Sequence, residues 1–130
     1  MRPEPVWVRN DVVGQIHGYQ IAQFGGRPGI RDEGMLESAL ARPHNLWLYE
    51  RVSITRLAAA HAFGIAMNHP FIDGNKRTAF VVSVLFLELN GFPFNAEEVD
   101  AASMFVSLAA GELDEAELSD WFEQWAAPVS

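Results

Sequence analysis

The stretch SITRLAAAHAFGIAMNHPFIDGNKRTAFVVSVLFLELNG (residues 53–91) contains two helical patterns hinged on a short polar turn. In its first half Ile54, Leu57, Ala58, His61 and Ile65 recur at helical spacing, behind Ser53 as a candidate N-cap. Ala58, Ala59, Ala60, Ala62, Gly64 and Ala66 supply small side chains that let neighbouring helices approach closely. This helix should stop near Asn68 or His69, because the residue before Pro70 is steered away from helical geometry. The second half predicts a helix from about Asn75 to Leu89, closed by Asn90 and Gly91. Its segment AFVVSVLFLEL is apolar almost all round, which suits a buried central helix. The β-branched residues there would also suit a buried strand. Length and the scarcity of other strand patterns decide for helix.

Outward from this pair the chain keeps reading as helix. Asn10 can cap a helix running to about Phe24, broken by Gly25–Gly26 and Pro28–Gly29. Asp32 is an N-cap for Glu33 to Ala41, with Met35, Leu36, Ala39 and Leu40 as its apolar stripe and Pro43 beyond its end. Residues 42–52 have no clean period and read as a loop or short hairpin. Asn95 and Asp114 each precede a glutamate by three residues, Glu98 and Glu117, and predict two capping boxes. The helices that follow would run to about Ala110 and to Ala126 or Ala127 before Pro128. Leu118, Trp121, Phe122 and Trp125 share one face of the second and read as core. The expected fold is all-α, one compact domain of about six helices spanning residues 1–130.

Composition narrows the class. The 130 residues include nine basic and 17 acidic side chains and no cysteine, which excludes disulfides, thiolate metal sites and a cysteine nucleophile. No segment resembles a signal peptide or approaches the roughly 20 apolar residues of a membrane span, so a soluble cytoplasmic protein is expected, with no membrane partner. A net charge of −8 argues against direct nucleic-acid binding. The charge is unevenly spread: residues 1–77 hold every basic side chain, and residues 78–130 hold ten acids and no base. Lys76, the sole lysine, stands at the boundary beside Arg77.

That boundary falls in the polar turn, His69-Pro-Phe-Ile-Asp73-Gly74-Asn75-Lys76-Arg77. The turn puts an imidazole at the end of one helix and a carboxylate just before the next. The first N–H groups of a helix have no intrahelical partner and form a natural anion site. Gly74 lets the backbone approach a ligand closely. Lys76 and Arg77 place two cations in the first turn, where the dipole favours acids, so an external anion is expected, with a phosphate chain as the natural candidate. Asp73 could then hold Mg²⁺, which takes few carboxylates alongside phosphate oxygens. His69 has the chemistry of a general base near neutral pH. Read singly, the same residues are ordinary turn and cap composition, with Asp73 a cap and His69 a surface histidine; nine residues carrying them together point to a site. The glycine spacing of a Walker loop is absent, as are HExxH and other paired metal spacings. His61 reads as a core histidine; His17 and His44 have no recognisable partner.

The segment HPFIDGNKRTAF resembles the central motif of the Fic/Doc superfamily, HxFx[D/E]GN[G/K]RxxR. GIRDEGMLESALARP (residues 29–43) and FLELNG (residues 86–91) are similar to its death-on-curing branch, over roughly residues 10–95. The resemblance implies a toxin kinase. ATP and Mg²⁺ would be used to phosphorylate a threonine of elongation factor Tu and stop translation, with His69 as base, Asp73 as metal ligand, and Gly74, Asn75, Lys76 and Arg77 as phosphate cradle. It also implies an antitoxin of the prevent-host-death type acting in trans. Residues 42–52 take the place of the family's target-docking flap, with Trp47 and Tyr49 as contacts. Lys76 replaces the glycine of typical Fic enzymes, and Phe80 stands where their second arginine would be. Both departures disfavour the alternative of AMP transfer to a protein hydroxyl. A further alternative is a catalytically silent interaction domain. Ser119 and Glu123 fit the start of the [S/T]xxxE[G/N] self-inhibitory helix of some Fic proteins, and Gln124 departs from its end.

Overall fold

The computed structural model describes residues 3–126. Six helices follow in order: α1 (Asn10–Phe24), α2 (Glu33–Glu50), α3 (Ile54–Asn68), α4 (Asn75–Leu89), α5 (Glu98–Ala109) and α6 (Glu115–Trp125). Among the described residues there is no strand, only two isolated bridges, Ile30 with Phe71 and Phe94 with Ala126. The all-α expectation holds. No helix among the described residues is long and apolar enough to cross a membrane.

The alanine-rich α3 is the axis of the molecule. Leu57, Ala58, Ala59, Ala60, Ala62, Ile65 and Ala66 are fully buried, because α2, α4 and α6 all pack on this helix. Small side chains permit that crowding. At Gly64 an added Cβ would lie 3.1 Å from both the Cα and the carbonyl oxygen of Ala39 in α2. Gly64→Ala should therefore destabilise the fold by about 2 kcal/mol despite its better helix propensity, read as a lower urea midpoint. An unchanged midpoint would show that the two helices can separate without cost.

Pro43 does not end α2. The helix runs on to Glu50, so residues 42–52 are not the loop or hairpin expected from their sequence. Leu36, Ala39, Leu40, Pro43 and Trp47 are its buried residues, and that helical period passes straight through the proline. The missing Pro43 N–H would have faced the Ala39 carbonyl, which here lies against Gly64 instead. The true end is Arg51, in the left-handed region with its N–H on Trp47 O at 3.2 Å.

The caps divide in the same way. Asp32, Ser53 and Asp114 accept the expected backbone N–H bonds, and the Asp114–Glu117 capping box is complete in both directions. Asn10 is the first residue of α1, with Arg9 in the cap position. The second expected box does not form: α5 starts at Glu98 behind Glu97, with no side-chain cap. Asn95 is drawn away because its N–H donates to Trp125 O at 2.9 Å, tying this segment to the end of α6. That bond also fixes where α6 stops; Ala127 and Pro128 lie outside the described residues. Leu118 and Phe122 are fully buried in the core, as read.

His61 is a core histidine, 2 % exposed, with Nδ1 donating to Leu57 O at 2.8 Å. Burial pushes its pKa down to about 4. The unfolded chain therefore binds a proton at His61 at higher pH than the folded chain does. Stability should fall as pH drops from about 6.5 towards 4, by about 3 kcal/mol across that window. His61→Phe should flatten that part of the curve in urea titrations at stepped pH; an unaltered slope would assign the loss elsewhere.

Candidate active site

The end of α3, the turn at residues 69–74 and the start of α4 form one face of the molecule. His69 caps α3 in the left-handed region (φ 48, ψ 56), which directs the chain sharply into Pro70. Arg31 fixes this corner: its Nε donates to His69 O at 2.7 Å and its Nη2 to Asn68 O at 2.9 Å. A guanidinium at a helix C-terminus meets orphan carbonyls and the negative end of the dipole together. The His69 ring is left exposed, and among the described residues it makes no hydrogen bond.

Phe71 anchors the turn, 1 % exposed. Its N–H donates to Asn75 Oδ1 and its carbonyl accepts from Asn75 Nδ2, both at 3.0 Å. The Asn75 side chain is thus spent on the turn, and what the residue can offer a ligand is its backbone N–H at the helix end. His17 supports the same turn from α1. Its ring stacks on Phe71 at 3.8 Å and its Nε2 donates to Asp73 O at 2.8 Å.

Asp73 is exposed and keeps its charge. Backbone N–H groups of Arg27 (3.2 Å) and Gly74 (2.8 Å) bond its two oxygens. These two bonds hold the carboxyl below its ordinary range, and the nearby charges of Arg77 and Arg27 act in the same direction. Each oxygen retains accepting capacity, so the carboxylate could still hold a hard cation. No cluster of three or more His, Asp or Glu occurs among the described residues, so the other partners of such an ion would be phosphate oxygens and water.

Gly74 (φ 75) is the N-cap of α4, and its carbonyl receives the first intrahelical bond, from Thr78 N at 3.0 Å. The N–H groups of Asn75, Lys76 and Arg77 precede that bond and point out of the helix end. Lys76 is exposed; Arg77 is half-buried, with Nη2 donating to Gly25 O at 2.9 Å. Both line a cleft of about 520 Å³ between α1, α4 and α5, with Gln20, Phe24, Phe80 and Phe105 in its walls. Phe80 packs edge-on against Phe94 and Phe105, so no guanidinium stands at that position.

The flap residues are corrected. Trp47 is 3 % exposed in the core of α2, with the Arg51 guanidinium 4.9 Å from its ring, so it cannot meet a docking protein. Tyr49 is exposed, but it sits in the last turn of α2, about 25 Å along the helix from the end that touches the turn. The segment from Ser119 to Glu123, whose match to the self-inhibitory helix Gln124 already breaks, lies away from the turn. Glu123 accepts from the Thr55 hydroxyl at 2.6 Å, and Thr55 lies in the first turn of α3, about 20 Å from the end that carries His69.

The segment that does lie on the motif is the α1–α2 loop. Ile72 N donates to Gly29 O at 3.0 Å, and the N–H groups of Arg31 and Asp32 donate to Pro70 O at 2.7 and 3.1 Å. Gly26 suits the loop there, since its φ of 119 strains any other residue and a Cβ would displace the Asp73 carboxylate, 2.9 Å away. His17, Arg27 and Arg31 had no signal as site residues. The density of glycines at 25, 26 and 29 around Arg27 was the available cue, and it reads equally as a helix breaker.

The sequence that builds this face is similar to known proteins. The model of the Fic/DOC family matches residues 7–87. The chain is similar to protein kinase doc of Escherichia phage P1, 33% identical over 107 residues, covering 81% of this chain and 83% of that one. It is also similar to toxin Doc of Mycolicibacterium smegmatis, 42% identical over 83 residues, which span 61% of this chain and 63% of that one. All three matches run through the turn with His69, Asp73 and the α4 N-terminus, or the length of chain that must contain it, and the chain belongs to the Fic/DOC family as one of its Doc-like members.

Proposed function

We propose that this Doc-like toxin is a cytoplasmic protein kinase. It moves the γ-phosphate of ATP to a threonine hydroxyl of elongation factor Tu, and an antitoxin of the prevent-host-death type silences it. The observation that carries the reading is the exposed His69 ring beside a helix N-terminus that presents free N–H groups with Lys76 and Arg77. Doc-type relatives, one of them named a protein kinase, support the same chemistry.

In this reading the α4 N-terminus, Lys76 and Arg77 hold the phosphate chain by aimed donors and charge. Asp73 is the residue that would hold magnesium, which supplies charge neutralisation on the phosphates when bound. His69 takes the proton from the threonine hydroxyl. The oxygen attacks the γ-phosphorus, the bond from that phosphorus to the bridging oxygen breaks, ADP leaves with the electron pair, and His69 returns its proton to water. The apolar cleft bordered by Lys76 suits a trans-acting antitoxin segment, because an occupant there would also cover the cradle.

Labelled ATP tests the reaction. With elongation factor Tu as acceptor, label should transfer from the γ position and none from the α position. Transfer of α-label would establish AMP transfer instead. Absence of both, with unaffected bacterial growth when the chain is expressed alone, would leave an interaction domain. Phe80 in place of a second arginine favours the first outcome.

A further inference from the structure

Arg27 has a fixed backbone and a side chain with no task in the fold. Its N–H donates to Asp73 Oδ2 at 3.2 Å, and that carboxylate borders the α4 N-terminus through Gly74 N at 2.8 Å. The loop around it is pinned on both sides, by Arg77 on Gly25 O at 2.9 Å and by Ile72 on Gly29 O at 3.0 Å. Pro28 restricts the Arg27 backbone further. The side chain is exposed, and among the described residues it forms no hydrogen bond or ion pair. Its charge is nonetheless felt at Asp73, alongside that of Arg77.

The α4 side of the cradle is short of guanidinium groups. Phe80 occupies the second position in an aromatic cluster, and Arg77 is partly committed, to Gly25 and to the Phe24 ring at 5.5 Å. The charges of Arg27 and Arg77 both act on the Asp73 carboxylate, and Lys76 stands beside Arg77 in the first turn of α4, so cations outnumber the carboxylate they border. That excess suits a polyphosphate better than a single phosphate. A guanidinium presents a planar fork to phosphate oxygens, and one rooted in a pinned loop loses little freedom on binding.

We propose that Arg27 is a phosphate-binding residue, whose guanidinium closes the cradle from the α1–α2 loop and grips the polyphosphate chain of a bound nucleoside triphosphate. It supplies from another element the contact that Phe80 removes from α4. This inference rests on the phosphate cradle proposed above.

The test is calorimetric titration of ATP and of adenosine, with magnesium present, into the full chain carrying His69→Ala to suppress turnover. Arg27→Ala in that background should weaken ATP binding roughly tenfold or more and leave adenosine binding and the thermal midpoint unchanged. Arg27→Lys should fall between. Equal ATP affinity with and without Arg27 would overturn the inference and leave the cradle standing. Equal weakening of ATP and adenosine, or a lowered thermal midpoint, would make Arg27 a structural residue and overturn it as well. Failure of the parent to bind ATP would overturn the cradle and the inference together.

Discussion

Replacing His69 with alanine should lower phosphoryl transfer by roughly two to four orders of magnitude, the range set by loss of a positioned general base. The fold should survive. The ring is exposed and bonds to nothing among the described residues, so its removal opens no cavity and orphans no buried group. What fixes the corner is the backbone: the His69 carbonyl on Arg31 and the left-handed φ of 48. Alanine keeps the carbonyl but suits that φ poorly, whereas asparagine adopts it readily. His69→Asn is therefore the companion variant, expected to match the parent in thermal midpoint while showing the same loss of transfer. Both variants should bind ATP as the parent does, because the His69 ring supplies none of the cradle's donors or charges. Parent-like transfer by either variant would remove His69 from the chemistry. Loss of ATP binding in both would make it part of the cradle.

The fold was legible where local rules and tertiary demands agree. Ser53, Asp32 and Asp114 are caps by side-chain chemistry alone, and the small residues of α3 announce a crowded helix. The failures share one cause, tertiary contacts that outweigh a local signal. Pro43 reads as a terminator, yet its cost falls on an Ala39 carbonyl that lies against Gly64. Asn95 reads as a cap, yet the Trp125 carbonyl claims its N–H. Trp47 reads as a surface aromatic only so long as residues 42–52 are taken for a loop. In the site, the residues of one contiguous turn were legible because their chemistry is dense. His17, Arg27 and Arg31 were not, since they reach the turn from positions 38 to 56 residues away in the chain.

Asn75 shows where a motif residue's role differs from the one its neighbours suggest. Asn75→Ala should destabilise the fold by about 4 kcal/mol, the largest loss expected from any single change in the turn. The amide satisfies both the N–H and the carbonyl of Phe71, in a site where Asn75 is 8 % and Phe71 1 % exposed. Alanine would leave a buried donor and a buried acceptor without partners, each costing about 1–3 kcal/mol. Asn75→Asp keeps the acceptor for Phe71 N–H but turns a carboxylate oxygen towards Phe71 O, so it should recover little. The disturbance would pass to Asp73, two residues on from Phe71 and held from beneath by His17, which itself stacks on the Phe71 ring. Activity should fall in Asn75→Ala as well, and the order of effects separates the two roles. A structural staple lowers the urea midpoint first and weakens ATP binding only through the displaced turn. A parent-like midpoint combined with lost ATP affinity would place the Asn75 side chain in the phosphate cradle instead.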